Sequence, residues 1–90
     1  MAHLEVDLVA ADRKVWSGAA SMLSAPAAEG EIGILPGHAP VLAVLQPGPV
    51  RITPVGEAAV RVAVGAGFLS VDHDQVTVVV DSAEGSVVQA

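Results

Sequence analysis

The chain has 90 residues, an apolar fraction of 52%, a net charge of −6 and no cysteine. A single domain of this size buries roughly 60–65% of its unfolded surface around one modest core. Four basic residues, with only Arg13 and Lys14 adjacent, argue against nucleic acid and direct lipid binding, and the lack of Cys removes disulfides, thiolate metal sites and Cys nucleophiles.

In chain order, Leu4, Val6 and Leu8 alternate with Glu5 and Asp7, which predicts a strand over 3–10 with one face on a core. The opening Met-Ala-His-Leu-Glu-Val-Asp has no basic region before an apolar stretch, so it does not read as a signal peptide. A turn at Ala11-Asp12-Arg13 leads to strands over 13–17 and 19–25, separated at Ser17-Gly18. Trp16 and Phe68 are the aromatics; Trp16 is expected to plug one end of the core. A glycine-flanked acidic tip, Glu29-Gly30-Glu31, opens a strand over 30–35. A Pro36-Gly37-His38-Ala39-Pro40 corner then precedes a strand over 41–46.

Pro47-Gly48-Pro49 starts a hairpin of 49–54 and 58–64 across Val55-Gly56-Glu57. Val50 and Ile52, then Val60, Val62 and Val64, point to one side. Gly65-Ala66-Gly67 fits a place where the backbone kinks or packs closely at a strand start. A second hairpin, 67–71 and 75–81, turns at Asp72-His73-Asp74. If Leu69 and Val71 face the core, Phe68 and Ser70 face out. Helical signals are confined to Asp81-Ser82-Ala83-Glu84, which resembles a helix N-cap with an early acidic residue but meets Gly85-Ser86 and is too short for an independent helix. No apolar run reaches the ~20 residues that span a bilayer. Period-two alternation with turns every 8–12 residues or so predicts an all-β fold, a sandwich or barrel.

No catalytic constellation emerges. His38 has no Ser-His-Asp or His-x-x-x-His spacing around it, and acid–base work needs a second group within hydrogen-bond reach. Asp72-His73-Asp74 reads as a turn, since Asp bonds its own backbone there. Neither Gly30-x-x-Gly33 nor Gly65-x-Gly67 leads into a helix N-terminus or carries the Lys of a phosphate loop. With charged residues at only 16%, some apolar side chains must stay outside, and a contiguous exposed patch marks a partner surface. No cofactor and no metal ion is expected.

Residues 30–40, Gly-Glu-Ile-Gly-Ile-Leu-Pro-Gly-His-Ala-Pro, resemble the signature of the epsilon subunit family of F-type ATP synthases. So do Val15-Trp16-Ser17-Gly18, Gly67-Phe68-Leu69-Ser70-Val71, and Val76-Thr77-Val78 leading to Asp81-Ser82-Ala83-Glu84, in family order across nearly the whole chain. The resemblance implies a jelly-roll-like sandwich of about ten short antiparallel strands in two five-stranded sheets, over residues 1–82. Residues 83–90 would then form a short tail where the family's two C-terminal helices begin. Those helices restrain ATP hydrolysis and in some members bind ATP, so neither role is expected of these residues.

The resemblance also implies a non-enzymatic rotor subunit that couples proton translocation to ATP synthesis. It would be held peripherally on the cytoplasmic side of the cell membrane through its complex. Glu29, Gly30, Glu31 and Ile32 would face the c-ring; Ala10, His38, Pro40 and Ala43 would lie near the gamma subunit. Two rivals remain. A lipoyl-type carrier needs a tip Lys, and Lys14 sits beside Arg13 without the usual acidic neighbour before it. A metal-dependent barrel enzyme would use His38 and His73.

Overall fold

The computed structural model describes residues 2–89, with side chains described through residue 84. Among these residues the chain forms nine strands and no helix. They are β1 (Leu4–Ala10), β2 (Arg13–Ala27), β3 (Gly30–Ile34), β4 (Val41–Leu45), β5 (Gly48–Pro54), β6 (Val60–Val64), β7 (Gly67–Asp72), β8 (Gln75–Val80) and β9 (Ala83–Gln89).

The strands join in the order β1-β8-β7-β4-β2-β5-β6-β9, with β1 also paired to β2 and β3 on β2. The long β2 takes part in both layers. Its first half pairs with β1 and its second half lies between β3 and β5. Counting β2 twice gives two five-stranded sheets, β2-β1-β8-β7-β4 and β3-β2-β5-β6-β9. Ala20 is the crossing point, because it pairs with Leu4 on one side and Pro54 on the other. Register shifts at Leu8/Val9 and between Ala20 and Met22 mark bulges, which bend a strand enough to pass from one sheet to the next.

Alternation places the core as the sequence implies. Across the first sheet the inward rows are Ala43–Leu69–Val78–Leu8 and Val41–Val71–Val76–Val6. From the second sheet Leu23, Ile34, Val50, Ile52, Val60, Val62 and Val64 close over them in one cluster. No polar side chain is buried among the described residues, so the layers are held by apolar area at ~25 cal/mol per Å². Trp16 is half-buried against this core, its ring 3.2 Å from where a Cβ on Gly18 would sit. The Gly65-Ala66-Gly67 link is a close approach, as expected. A Cβ on Gly67 would strike the Val79 carbonyl, and one on Gly65 the Asp81 carboxylate. Gly65 N–H donates to the Ser82 carbonyl and Asp81 N–H to the Ala66 carbonyl, both at 2.9 Å.

Three sequence expectations change. Residues 13–17 and 19–25 form one 15-residue strand, because Gly18 continues the ladder opposite Val6. The stretch after Asp81, expected as a short tail too short for an independent helix, instead forms β9, which pairs antiparallel with β6; an open edge outweighs a short local preference. The strands are not all antiparallel, since β1 and β8 run parallel from Glu5↔Gln75 to Ala10↔Val80.

Candidate docking surfaces

The β2–β3 hairpin carries the acidic tip. Ala28 and Glu29 form its turn and Gly30 takes φ 128°, a conformation that favours glycine. Glu29, Gly30 and Glu31 are exposed, while Ile32 packs against the core and anchors the tip. Ala28 N–H donates to the Val44 carbonyl and Gln46 N–H to the Pro26 carbonyl, each at 2.9 Å. These bonds fix the hairpin beside β4 and leave a groove of ≈570 Å³ between residues 27–32 and 41–44. The four tip residues and Ala43 therefore share one concave site.

His38 and Pro40 lie at the other end of β4, on the corner that precedes it. The ring Nδ1 of His38 is 2.7 Å from the Ala39 carbonyl oxygen, so that nitrogen carries the proton and donates. Gly37, at φ 87°, donates its N–H to Asp74 Oδ1 at 2.7 Å, and the Asp74 carbonyl accepts Glu5 N–H at 2.8 Å. Asp74 thus ties the corner, the β7–β8 turn and the start of β1 together. That turn has two central residues, His73 at φ 50° and Asp74 at φ 63°. Both are left-handed, as a two-residue hairpin of matching twist demands, yet neither is glycine. The turn reading of Asp72-His73-Asp74 holds, with His73 Nδ1 2.7 Å from Asp72 Oδ1.

Ala10 does not join this group. It is 3% exposed and belongs to the core, in the row Leu45–Gly67–Val80–Ala10 at the far end of the sheet from His38. Its methyl group is covered within the chain itself. Ala43 also faces inward, packed against the core. Four large apolar residues face outward around it: Leu42 (74% exposed) and Val44 (64%), which the sequence analysis does not single out, Phe68 (52%), outward as its alternation with Leu69 implies, and Val79 (39%). Val44, Phe68 and Val79 are direct cross-strand partners, and Val9 continues the row. The result is an apolar stripe across four strands, bordering the groove. Its signal was β4 itself, apolar at every position, which is more than one buried face requires.

His38, His73 and Asp74 line a second, shallow hollow of ≈420 Å³. Among the described residues no three His, Asp or Glu side chains converge where an ion could sit. Lys14 lies in β2 and pairs with Asp7 at 3.5 Å.

Residues 3–86 match the family model described as the ATP synthase, Delta/Epsilon chain, beta-sandwich domain. The chain belongs to that family. Among curated members, it is 49% identical to the ATP synthase epsilon chain of Micrococcus luteus over 83 residues, covering 92% of this chain and 91% of that one. It is 48% identical to the epsilon chain of Rhodococcus erythropolis over 85 residues, covering 93% and 70%. The fold is similar to a chain in the Euglena gracilis mitochondrial ATP synthase OSCP/F1/c-ring structure, with a TM-score of 0.87 at 22% identity. It is also similar to a chain in the Tetrahymena thermophila central stalk/c-ring structure, at 0.79 and 21%. This chain covers 93% and 90% of its own length in those matches, but 54% and 65% of the two solved chains.

Proposed function

We propose that the chain is a non-catalytic central-stalk subunit of a bacterial F1Fo ATP synthase, and that it couples proton translocation to ATP synthesis by docking on the gamma subunit and the c-ring. The observation that carries this reading is the exposed stripe of Val44, Phe68 and Val79 beside the acidic hairpin tip. Family membership supports it. A row of large apolar side chains left in water favours burial against a partner. A close-packed apolar interior has low compressibility and passes strain on, which suits a coupling element.

The gamma contact would run from His38 and Pro40 along the outer side of β4, through Leu42 and Val44 to Phe68 and Val79. The c-ring contact would be made by Glu29, Gly30, Glu31 and Ile32, where two carboxylates near the tip meet polar or basic loops. Membrane association would come through the complex, on the cytoplasmic side. The part assigned to these residues is coupling and assembly.

The test is co-purification with the cognate gamma subunit. A one-to-one complex at micromolar concentration in analytical ultracentrifugation is expected, and its absence overturns the reading. Glu31→Arg is expected to weaken coupling to the ring with an unchanged thermal midpoint. A large loss of stability in that variant means that the tip is structural instead.

A further inference from the structure

The outer face of the second sheet carries charge that the chain does not match internally. Arg51 on β5 and Arg61 on β6 are direct cross-strand partners, and both are exposed. Their Cβ atoms therefore lie about 4.5–5.5 Å apart, a spacing at which like charges destabilise a sheet. Ten acidic residues against four basic ones leave ample carboxylates for pairing. The other two cations use them: Arg13 pairs with Asp12 at 3.2 Å and Lys14 with Asp7 at 3.5 Å. Among the described residues neither Arg51 nor Arg61 takes part in an ion pair.

Their surroundings mix short polar side chains with one exposed methionine. Ser24 stands across from Arg51 on β2, and Met22, Thr53 and Glu31 border a shallow groove of ≈360 Å³ beside it. Glu84 sits opposite Ala63, two residues along β6 from Arg61. The pair is thus a narrow cationic spot between two carboxylates, on the paired strands β5 and β6.

We propose that this face docks an acidic polypeptide segment whose carboxylate bridges the Arg51 and Arg61 guanidinium groups. A planar guanidinium offers paired N–H donors that match a carboxylate fork, and two side by side hold one carboxylate by charge-assisted bonds. The partner removes the repulsion that the isolated sheet bears. Two flanking carboxylates and a net charge of −6 disfavour a long phosphate polyanion or an anionic membrane, both of which need many clustered cations. The spot suits one or two acidic side chains with an amide or cation facing Glu31. The inference shares the stalk setting of the reading above but uses a different face and different residues.

The test uses the isolated full chain, so it does not depend on gamma binding. Backbone amide signals are followed by NMR during titration with a hexaglutamate peptide at low salt, with inorganic pyrophosphate and hexalysine as separate probes. Saturable shifts confined to Ser24, Arg51, Thr53 and Arg61 are expected with hexaglutamate. Arg51→Gln/Arg61→Gln is expected to weaken that binding about tenfold or more, since charge-assisted hydrogen bonds are worth ≈1.5–3 kcal/mol. The thermal midpoint of the double variant should be unchanged or higher. Shifts that centre on Arg13 and Lys14, stronger saturation by pyrophosphate, no response at Arg51 and Arg61, or a lower midpoint in the double variant each overturn the proposal.

Discussion

On the outer face of the first sheet, Val44, Phe68 and Val79 stand side by side across three strands; on that of the second, Ser24, Arg51 and Arg61 do the same. The inward sides of the two sheets are nearly interchangeable, all Leu, Ile, Val and Ala with Pro54. Folding needs only those inner sides, because apolar area removed from water is what joins the layers. The outer sides are free of that demand, so a departure from plain solvated residues there reports on partners. One face departs toward apolar contact and the other toward charge.

Breaking the shared interior should cost most and should not distinguish the faces. Leu69→Ala removes a fully buried side chain that lies between Ala43 and Val78. The expected loss is about 2–5 kcal/mol, seen as a drop of roughly 4–8 °C in thermal midpoint per kcal/mol for a domain of this size. Gamma binding and the Arg51 face should weaken together.

The comparison sharpens when one face is changed alone. Phe68→Ser alters the centre of the apolar stripe without touching the core. Gamma affinity is expected to fall by about 2 kcal/mol, as for a central aromatic anchor, with a thermal midpoint close to that of the parent. A midpoint that falls with the affinity would assign Phe68 to the fold.

The Asp74 tie makes a smaller difference, confined to one end of the first sheet. Asp74→Asn keeps an acceptor for Gly37 N–H and tolerates the left-handed backbone, so it should behave like the parent. Asp74→Ala loses the bond and keeps the strain, costing about 1–2 kcal/mol. Faster amide exchange at Gly37 is the specific readout, and equal exchange in the two variants would remove the tie. Val55→Thr is the smallest change. Val55 is exposed in the β5–β6 turn, outside both rows, and stability and gamma affinity should stay within about 0.5 kcal/mol of the parent.

Much of the fold was readable along the chain. Period-two alternation at Leu4–Val6–Leu8, Val60–Val62–Val64 and Val76–Val78–Val80 picked out residues that are all buried. Pairs such as Phe68 and Leu69 were settled in relation to each other as soon as one face was known. The exposed acidic tip at Glu29-Gly30-Glu31 also followed from its glycines and charge. Local pattern does not give a residue's side where both sides are apolar. In Val-Leu-Ala-Val-Leu over Val41–Leu45, nothing local says that Ala43 turns in and Leu42 out. Ala10 is in phase with Leu4, Val6 and Leu8, so alternation already turns it inward, and Val80 and β2 close over it.

The sequence alone determined the all-β class, most of the strands and the inward residues, because alternation and turn chemistry act between neighbours a few positions apart. Only the tertiary structure decided that β1 runs parallel to β8, that β2 serves both sheets, and that Val44 meets Phe68 and Arg51 meets Arg61. Those pairings join positions far apart in the chain, and they depend on register and sheet order, which are settled when the two layers close on one core.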